Sequence, residues 1–148
     1  MSNNVKGIEY LDGSIRYYGN NGVYHREDGP AVEYSDGVKF WYKHGVYHRE
    51  DGPAKWYSEN HYAWYYEGKL HRLDGPAVVY SNGSSYWYKN GKRHNPHGPA
   101  IVEITLQGTF RKEWWYEGTY YKTEAEFRKG STPSIDQLKA MFDEVQHG

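Results

Sequence analysis

Apolar residues in this chain come in short stretches, many of them aromatic, each closed by a glycine. Val32-Glu33-Tyr34-Ser35-Asp36-Gly37 and Val78-Val79-Tyr80-Ser81-Asn82-Gly83 mix apolar and polar side chains and end in a turn. Trp41-Tyr42 with Gly45, Trp64-Tyr65 with Gly68 and Trp87-Tyr88 with Gly91 are short runs of the same kind. Short β-branched and aromatic runs bounded by turn residues predict strands, and Asp-Gly or Asn-Gly between them predicts tight hairpins. A helical pattern begins only after residue 122. Thr123-Glu124-Ala125-Glu126 reads as a capping box, with the helix stopping at Gly130. Thr132-Pro133 then opens a second helix with Ile135, Leu138, Phe142 and Val145 on one face. That stripe is expected to cover the last strand, or else to dock a partner. The expected division is therefore residues 1–122 as a β-array and 123–148 as a helical cap.

The array is periodic. Tyr24-His25-Arg26-Glu27-Asp28-Gly29-Pro30-Ala31 recurs as Tyr47-His48-Arg49-Glu50-Asp51-Gly52-Pro53-Ala54 and as Leu70-His71-Arg72-Leu73-Asp74-Gly75-Pro76-Ala77. Arg93-His94-Asn95-Pro96-His97-Gly98-Pro99-Ala100 is a weaker fourth copy. The histidines step by 23 residues without an insertion. Each unit is expected to contribute two antiparallel strands to one meander. Trp114-Trp115-Tyr116-Glu117-Gly118 arrives four residues late, which predicts a longer last loop within Thr105 to Lys112. Tyr10-Leu11-Asp12-Gly13 reads as the tail of a unit lacking its first half.

Composition sharpens this picture. The 148 residues include 17 Tyr, 6 Trp and 17 Gly, so much of the apolar area comes from rings with polar handles, suited to a half-buried pleated surface. Lys plus Arg (18) nearly balances Asp plus Glu (19), a net charge of −1 that gives no support to nucleic-acid binding. Nor does any polybasic cluster point to an anionic membrane. Without cysteine there is neither a disulfide nor a thiolate zinc site, and no apolar run approaches a membrane span, so the expectation is a cytoplasmic protein. The eight histidines mean that mild acid changes the electrostatics of the whole molecule.

The aromatic-Tyr-x-x-Gly-x-x-His-x-x-x-Gly pattern at a step of 23 resembles MORN repeats over roughly Tyr10 to Tyr121. The resemblance implies an elongated, twisted antiparallel meander. The His-Arg-x-Asp-Gly-Pro-Ala variant is similar to MORN-variant proteins of large tailed phages and giant viruses, and more distantly of bacterial antitoxins. It implies a phage-encoded protein acting in the host cytoplasm.

The repeated residues are candidates for chemistry as well as for structure. Equivalent positions two strands apart lie roughly 9–10 Å from one another. Two histidines of one column therefore cannot share a zinc, which needs nitrogens about 2.0–2.1 Å away. Near-equal copies of one motif also lack the asymmetry of a catalytic constellation, so no catalytic residue, metal or cofactor is expected. Asp28, Asp51 and Asp74 are expected to orient the preceding His or Arg, or to bond the Gly-Pro turn. Tyr18, Trp41, Trp64, Trp87 and Trp114 are expected to form a ridge. Val32, Lys55, Val78 and Ile101, or Tyr34, Tyr57 and Tyr80, would fill its gaps. An open face would offer Trp41, Trp64, Trp87, Trp114, Tyr42, Tyr65, Tyr88, Arg26, Arg49, Arg72, His25, His48 and His71 to a ligand.

The expected function is a non-enzymatic binding protein that inhibits a host protein or counters a host defence. The alternatives are an oligomeric sponge for a nucleotide signal and an antitoxin or immunity protein. For an enzyme, the irregular stretch with His94, His97 and Glu103 is the place to look. The strand near Val5 to Tyr10 leaves an open edge through which copies could pair.

Overall fold

A computed structural model of the chain describes residue 5 and residues 7–131. The expected second helix, from Thr132 on, lies outside the described residues. The chain opens with β1 (Gly7–Glu9) and β2 (Ile15–Tyr17), followed by β3 (Val32–Glu33), β4 (Lys39–Phe40), β5 (Tyr42–Lys43) and β6 (Val46–Tyr47). The next unit repeats the series as β7 (Lys55–Ser58), β8 (His61–Ala63), β9 (Tyr65–Tyr66) and β10 (Lys69–Leu70). The third gives β11 (Val78–Val79), β12 (Ser85–Tyr86), β13 (Tyr88–Lys89) and β14 (Lys92–Arg93). β15 (Ile101–Ile104), β16 (Phe110–Tyr116), β17 (Thr119–Tyr121) and α1 (Glu124–Ser131) end the described chain.

Eleven strands form one antiparallel meander in the order β1-β2-β3-β4-β7-β8-β11-β12-β15-β16-β17. Each 23-residue unit places two strands in it, as the repeat requires, and the second turn signal of the unit builds a further hairpin beside it. These are the pairs β5–β6, β9–β10 and β13–β14. The sheet strand ends at the Trp of each unit, whose amide donates to the alanine of the next Gly-Pro-Ala: Trp41 to Ala54, Trp64 to Ala77, Trp87 to Ala100. The chain then turns into its side hairpin.

The two turns differ in type. In the side hairpins the residue before the glycine also has positive φ: His44 (51°), Glu67 (48°), Asn90 (50°) and Glu117 (49°), each followed by a positive-φ Gly. Two successive left-handed residues make the type I′ turn that matches strand twist. The Asp-Gly and Asn-Gly turns of the main sheet are looser than the tight form expected. Gly37 donates to the Tyr34 carbonyl and Tyr34 to the Val38 carbonyl, and among Ser35, Asp36 and Gly37 only Gly37 has positive φ, a three-residue loop. Asp36 Oδ1 accepts from the Val38 amide and Asn82 Oδ1 from that of Ser84, so the Asx side chains shape these loops.

The four extra residues of the last unit do not lengthen its loop. Ile101 pairs with Glu113 as Val78 pairs with Tyr86, and the register continues to Ile104–Phe110, so each arm is two residues longer around a three-residue turn. An even extension keeps every side chain on its own face.

The core is thin. Ala31, Ala54, Ala77 and Ala100 are fully buried, with Val32, Val78 and Ile101 beside them. Rings supply the rest. Tyr34, Phe40, Tyr57, His61, Tyr80 and Tyr86 run across the sheet with successive centroids 4.4–5.7 Å apart. Tyr34, Tyr57 and Tyr80 thus interleave with one another's neighbours, not with the tryptophans. Strand alternation likewise sends Val32, Lys55, Val78 and Ile101 to the face opposite the Trp column. At the C-terminal end α1 packs on β16 and β17, burying Phe127 edge-on against Tyr121. Its start is capped by Thr123 Oγ1, which accepts from the Glu126 amide, while Glu126 accepts from that of Lys122.

Candidate functional site

The His-Arg-x-Asp-Gly-Pro segment folds the same way in three units. Arg26, Arg49 and Arg72 each donate from Nε to the Asp two residues on, at 2.8 Å. Each also donates to the carbonyl of the Pro four residues on, at 3.2–3.4 Å. Arg26 further bonds Glu33 at 3.1 Å. The guanidinium lies across the glycine of the loop: a Cβ on Gly29, Gly52 or Gly75 would meet Arg Cζ at 3.0, 2.6 or 2.8 Å. It also covers a ring of the preceding column, Arg26 over Tyr17 (3.9 Å), Arg49 over Trp41 (4.0 Å) and Arg72 over Trp64 (4.4 Å). Arginine, then, lies against the ridge at Tyr17, Trp41 and Trp64. In the fourth unit Asn95 takes over the Pro99 carbonyl, and a Cβ on Gly98 would have room, its nearest neighbour at 3.7 Å.

The first member of the ridge is Tyr17 and not Tyr18. Tyr17 makes the two backbone bonds that Trp41 makes, to Ala31 and from His25, because the first unit carries one more residue in its side turn. Tyr18 joins a different column. Tyr18, Tyr24, Tyr42, Tyr47 and Tyr65 form a ladder with successive centroids 4.2–5.2 Å apart. Tyr88 holds the equivalent place opposite Arg93, which covers Trp115. Lys55 Nζ lies over Tyr47 at 4.1 Å. The candidate tyrosines Tyr42, Tyr65 and Tyr88 are thus separate from the Trp and Arg candidates.

The column histidines serve a third purpose. His25, His48, His71 and His94 each accept at Nδ1 from the amide of the left-handed turn residue in the next unit, His44, Glu67, Asn90 and Glu117, at 3.0–3.1 Å. Two backbone bonds flank each of these joints, as in Gly68 to the Tyr47 carbonyl and Arg49 to the Tyr65 carbonyl. An acceptor at Nδ1 fixes the neutral tautomer of His25, His48 and His94 with its proton on Nε2, whereas His71 Nδ1 also meets Asn90 Oδ1 at 2.7 Å, and its role follows the tautomer. These turn residues escaped the sequence reading; the signal available was their constant place before the glycine of the side turn.

Between successive loops lie open grooves. The first, about 770 Å³, is lined by Arg26, Glu27, Asp28, Trp41, Lys43, Arg49, Glu50 and Asp51 among others. The second, about 500 Å³, repeats it one unit on, with Trp64, Arg72, Leu73 and Asp74. Most of the charge that faces solvent here is negative, with Lys43 the exposed cation of the first groove. Asp28, Asp51 and Asp74 side chains are 85, 84 and 81 % exposed, and Glu27 and Glu50 74 and 73 %, whereas the arginines are 21–24 % exposed. The hydrogen bond from Arg, then its charge, holds each of these aspartates below the usual carboxylate range. The Trp64 indole N–H is buried and finds no acceptor among the described residues.

Trp114 belongs to a smaller groove of about 280 Å³ with Pro96, His97, Gly98, Glu124, Phe127 and Arg128. Trp87 stands at the kink of its unit, its carbonyl accepting from the His94 amide. His94, His97 and Glu103 occupy three settings. His94 meets the Glu117 turn, His97 the Trp114 groove, and Glu103 accepts from the Tyr86 hydroxyl at 2.8 Å with Arg111 nearby. Burial, then that carboxylate, pushes Tyr86 up to about 12. Among the described residues no group of three or more His, Cys, Asp or Glu is placed to hold a metal ion, and no helix is long and apolar enough to cross a membrane. The chain matches no protein-family model, no curated protein and no solved structure.

Proposed function

We propose that the chain is a non-enzymatic protein-binding module whose partner lays a basic segment across the grooves between successive His-Arg-x-Asp-Gly-Pro loops. One observation carries this reading: a Trp-floored groove recurs from one unit to the next, with its carboxylates turned outward and its guanidinium groups turned inward. Exposed carboxylates set beside aromatic surface suit Lys or Arg side chains, whose stems lie on rings while their heads meet the acids. The nucleotide-sponge reading is weaker on the same geometry. An anionic ligand would have to displace the Asp and Pro partners that already occupy Arg26, Arg49 and Arg72. The MORN and phage resemblance makes a host cytoplasmic protein the partner we propose.

The test is capture of partners from a bacterial lysate by the tagged chain, repeated with the Glu27→Lys, Glu50→Lys double variant. A single stoichiometric protein, lost from the double variant while thermal stability is unchanged, supports the reading. A protein retained by the variant, or a bound nucleotide with no protein, overturns it.

A further inference from the structure

The four histidine joints share one amide-to-Nδ1 hydrogen bond and differ in what a proton would meet. Protonation places a hydrogen on Nδ1, which then faces the N–H it was accepting from, and the bond is lost. Three joints hold a compensating group. His25 Nε2 has the Glu27 carboxylate at 3.8 Å and the ring of His44 at 4.5 Å. His48 Nε2 has Glu50 at 3.6 Å, with the ring of Tyr66 beside it and Glu67 supplying the amide. His71 has Leu73 where the others carry Glu, yet its Nδ1 lies 2.7 Å from Asn90 Oδ1, which can accept the new proton.

His94 has less help. The residue two positions on is Pro96, so the outer carboxylate is missing. The groups that face it are Glu117 and Tyr116 from the terminal hairpin and Lys89 from β13, with Lys92 of β14 acting on Glu117. Glu117 is 3.6 Å from Nδ1, but it is already paired with Lys89 Nζ at 2.8 Å, whose charge opposes a second cation. The side chain is 11 % exposed, no more buried than His25 (5 %) or His48 (10 %), so what sets it apart is that the cost of burial is only partly offset by Glu117 and is added to by Lys89.

We propose that His94 is a proton-operated latch: neutral, it closes the third side hairpin onto the Glu117 turn, and protonated, it loosens that turn with β17 and α1 while the other three joints stay closed. The reporters are the glycine amides that cross each joint, Gly45 to Tyr24, Gly68 to Tyr47, Gly91 to Leu70 and Gly118 to Arg93. Residue-resolved hydrogen exchange on the whole chain at about pH 7.5 and about pH 5.5, corrected for intrinsic rates, reads them directly. Protection at Gly118 is expected to fall about three- to tenfold on acidification, tenfold being the most that an ordinary value of 6.5 allows between these two pH values, against less than about twofold at Gly91. Equal changes at all four glycines, or none at Gly118, would overturn the latch. His94→Asn offers an acceptor that does not titrate, and there the Gly118 response is expected to vanish. Persistence of the response in that variant also defeats the proposal, and the wild-type contrast of Gly118 with Gly91 decides the matter should the variant not fold.

Discussion

At the scale of single residues, the Arg clip explains why three of the four loops carry a glycine. Gly52 lies beneath the Arg49 guanidinium, so Gly52→Ala pushes a Cβ into Cζ and is expected to destabilise by about 1–3 kcal/mol. Gly98 sits under Asn95 with space to spare, and Gly98→Ala should stay within about 0.5 kcal/mol of the parent. Urea unfolding of both variants makes the comparison, and equal costs would contradict the clip. His94 gives a second residue-scale expectation. Burial lowers its affinity for a proton below the ordinary value of 6.5, so the unfolded chain takes up protons first. Its contribution to stability is whole above about 6.5 and drains away as pH falls below that. A urea midpoint in His94→Asn that declines less steeply between pH 7 and 5 than the parent's would bear this out. The clip itself was half legible: Asp could be assigned to orient an Arg or His, but stacking on the preceding ring joins units and leaves no local mark. The slip from Tyr18 to Tyr17 was hidden by one extra residue in a loop.

At the scale of elements, the side hairpins depend on a left-handed residue that is not glycine. Glu67, at φ 48°, carries the strain of a conformation that costs most L-residues about 1–2 kcal/mol and that Asn tolerates better. Glu67→Asn is therefore expected to raise stability by about 0.5–1 kcal/mol in chemical denaturation, with the amide donated to His48 retained. Ala77 is the reverse case. It has no exposed surface and its carbonyl takes the Trp64 amide at 2.7 Å, so Ala77→Val should cost about 1–3 kcal/mol. The hairpins of the main sheet could be read from Asp-Gly and Asn-Gly, since those residues shape the turn. The side hairpins could be read only as a second turn signal, because the amide that meets each histidine belongs to the backbone and has no letter of its own.

At the scale of the whole molecule, each unit touches mainly its neighbours through the same three hydrogen bonds and, in three of the four units, the same ring-on-guanidinium contact. Such an array is close to one-dimensional, and its stability is a sum of unit and junction contributions. Removing residues 46–68, one whole period, joins equivalent positions and is expected to leave a folded chain. Its urea m-value should fall in proportion to the surface lost. Loss of all cooperative unfolding would show that the array is a single indivisible core.

The Arg–Asp clip reaches around one residue without touching it. That residue is Glu27, Glu50 and Leu73 in the three clipped units, and Pro96 holds the same place between Asn95 and His97 in the fourth, exposed in every one. Each loop consequently behaves as a type slot: the frame is locked by its two neighbours while the character set into it can be exchanged. A row of such slots at a fixed pitch lets the molecule change what it spells, one unit at a time, without recasting the frame.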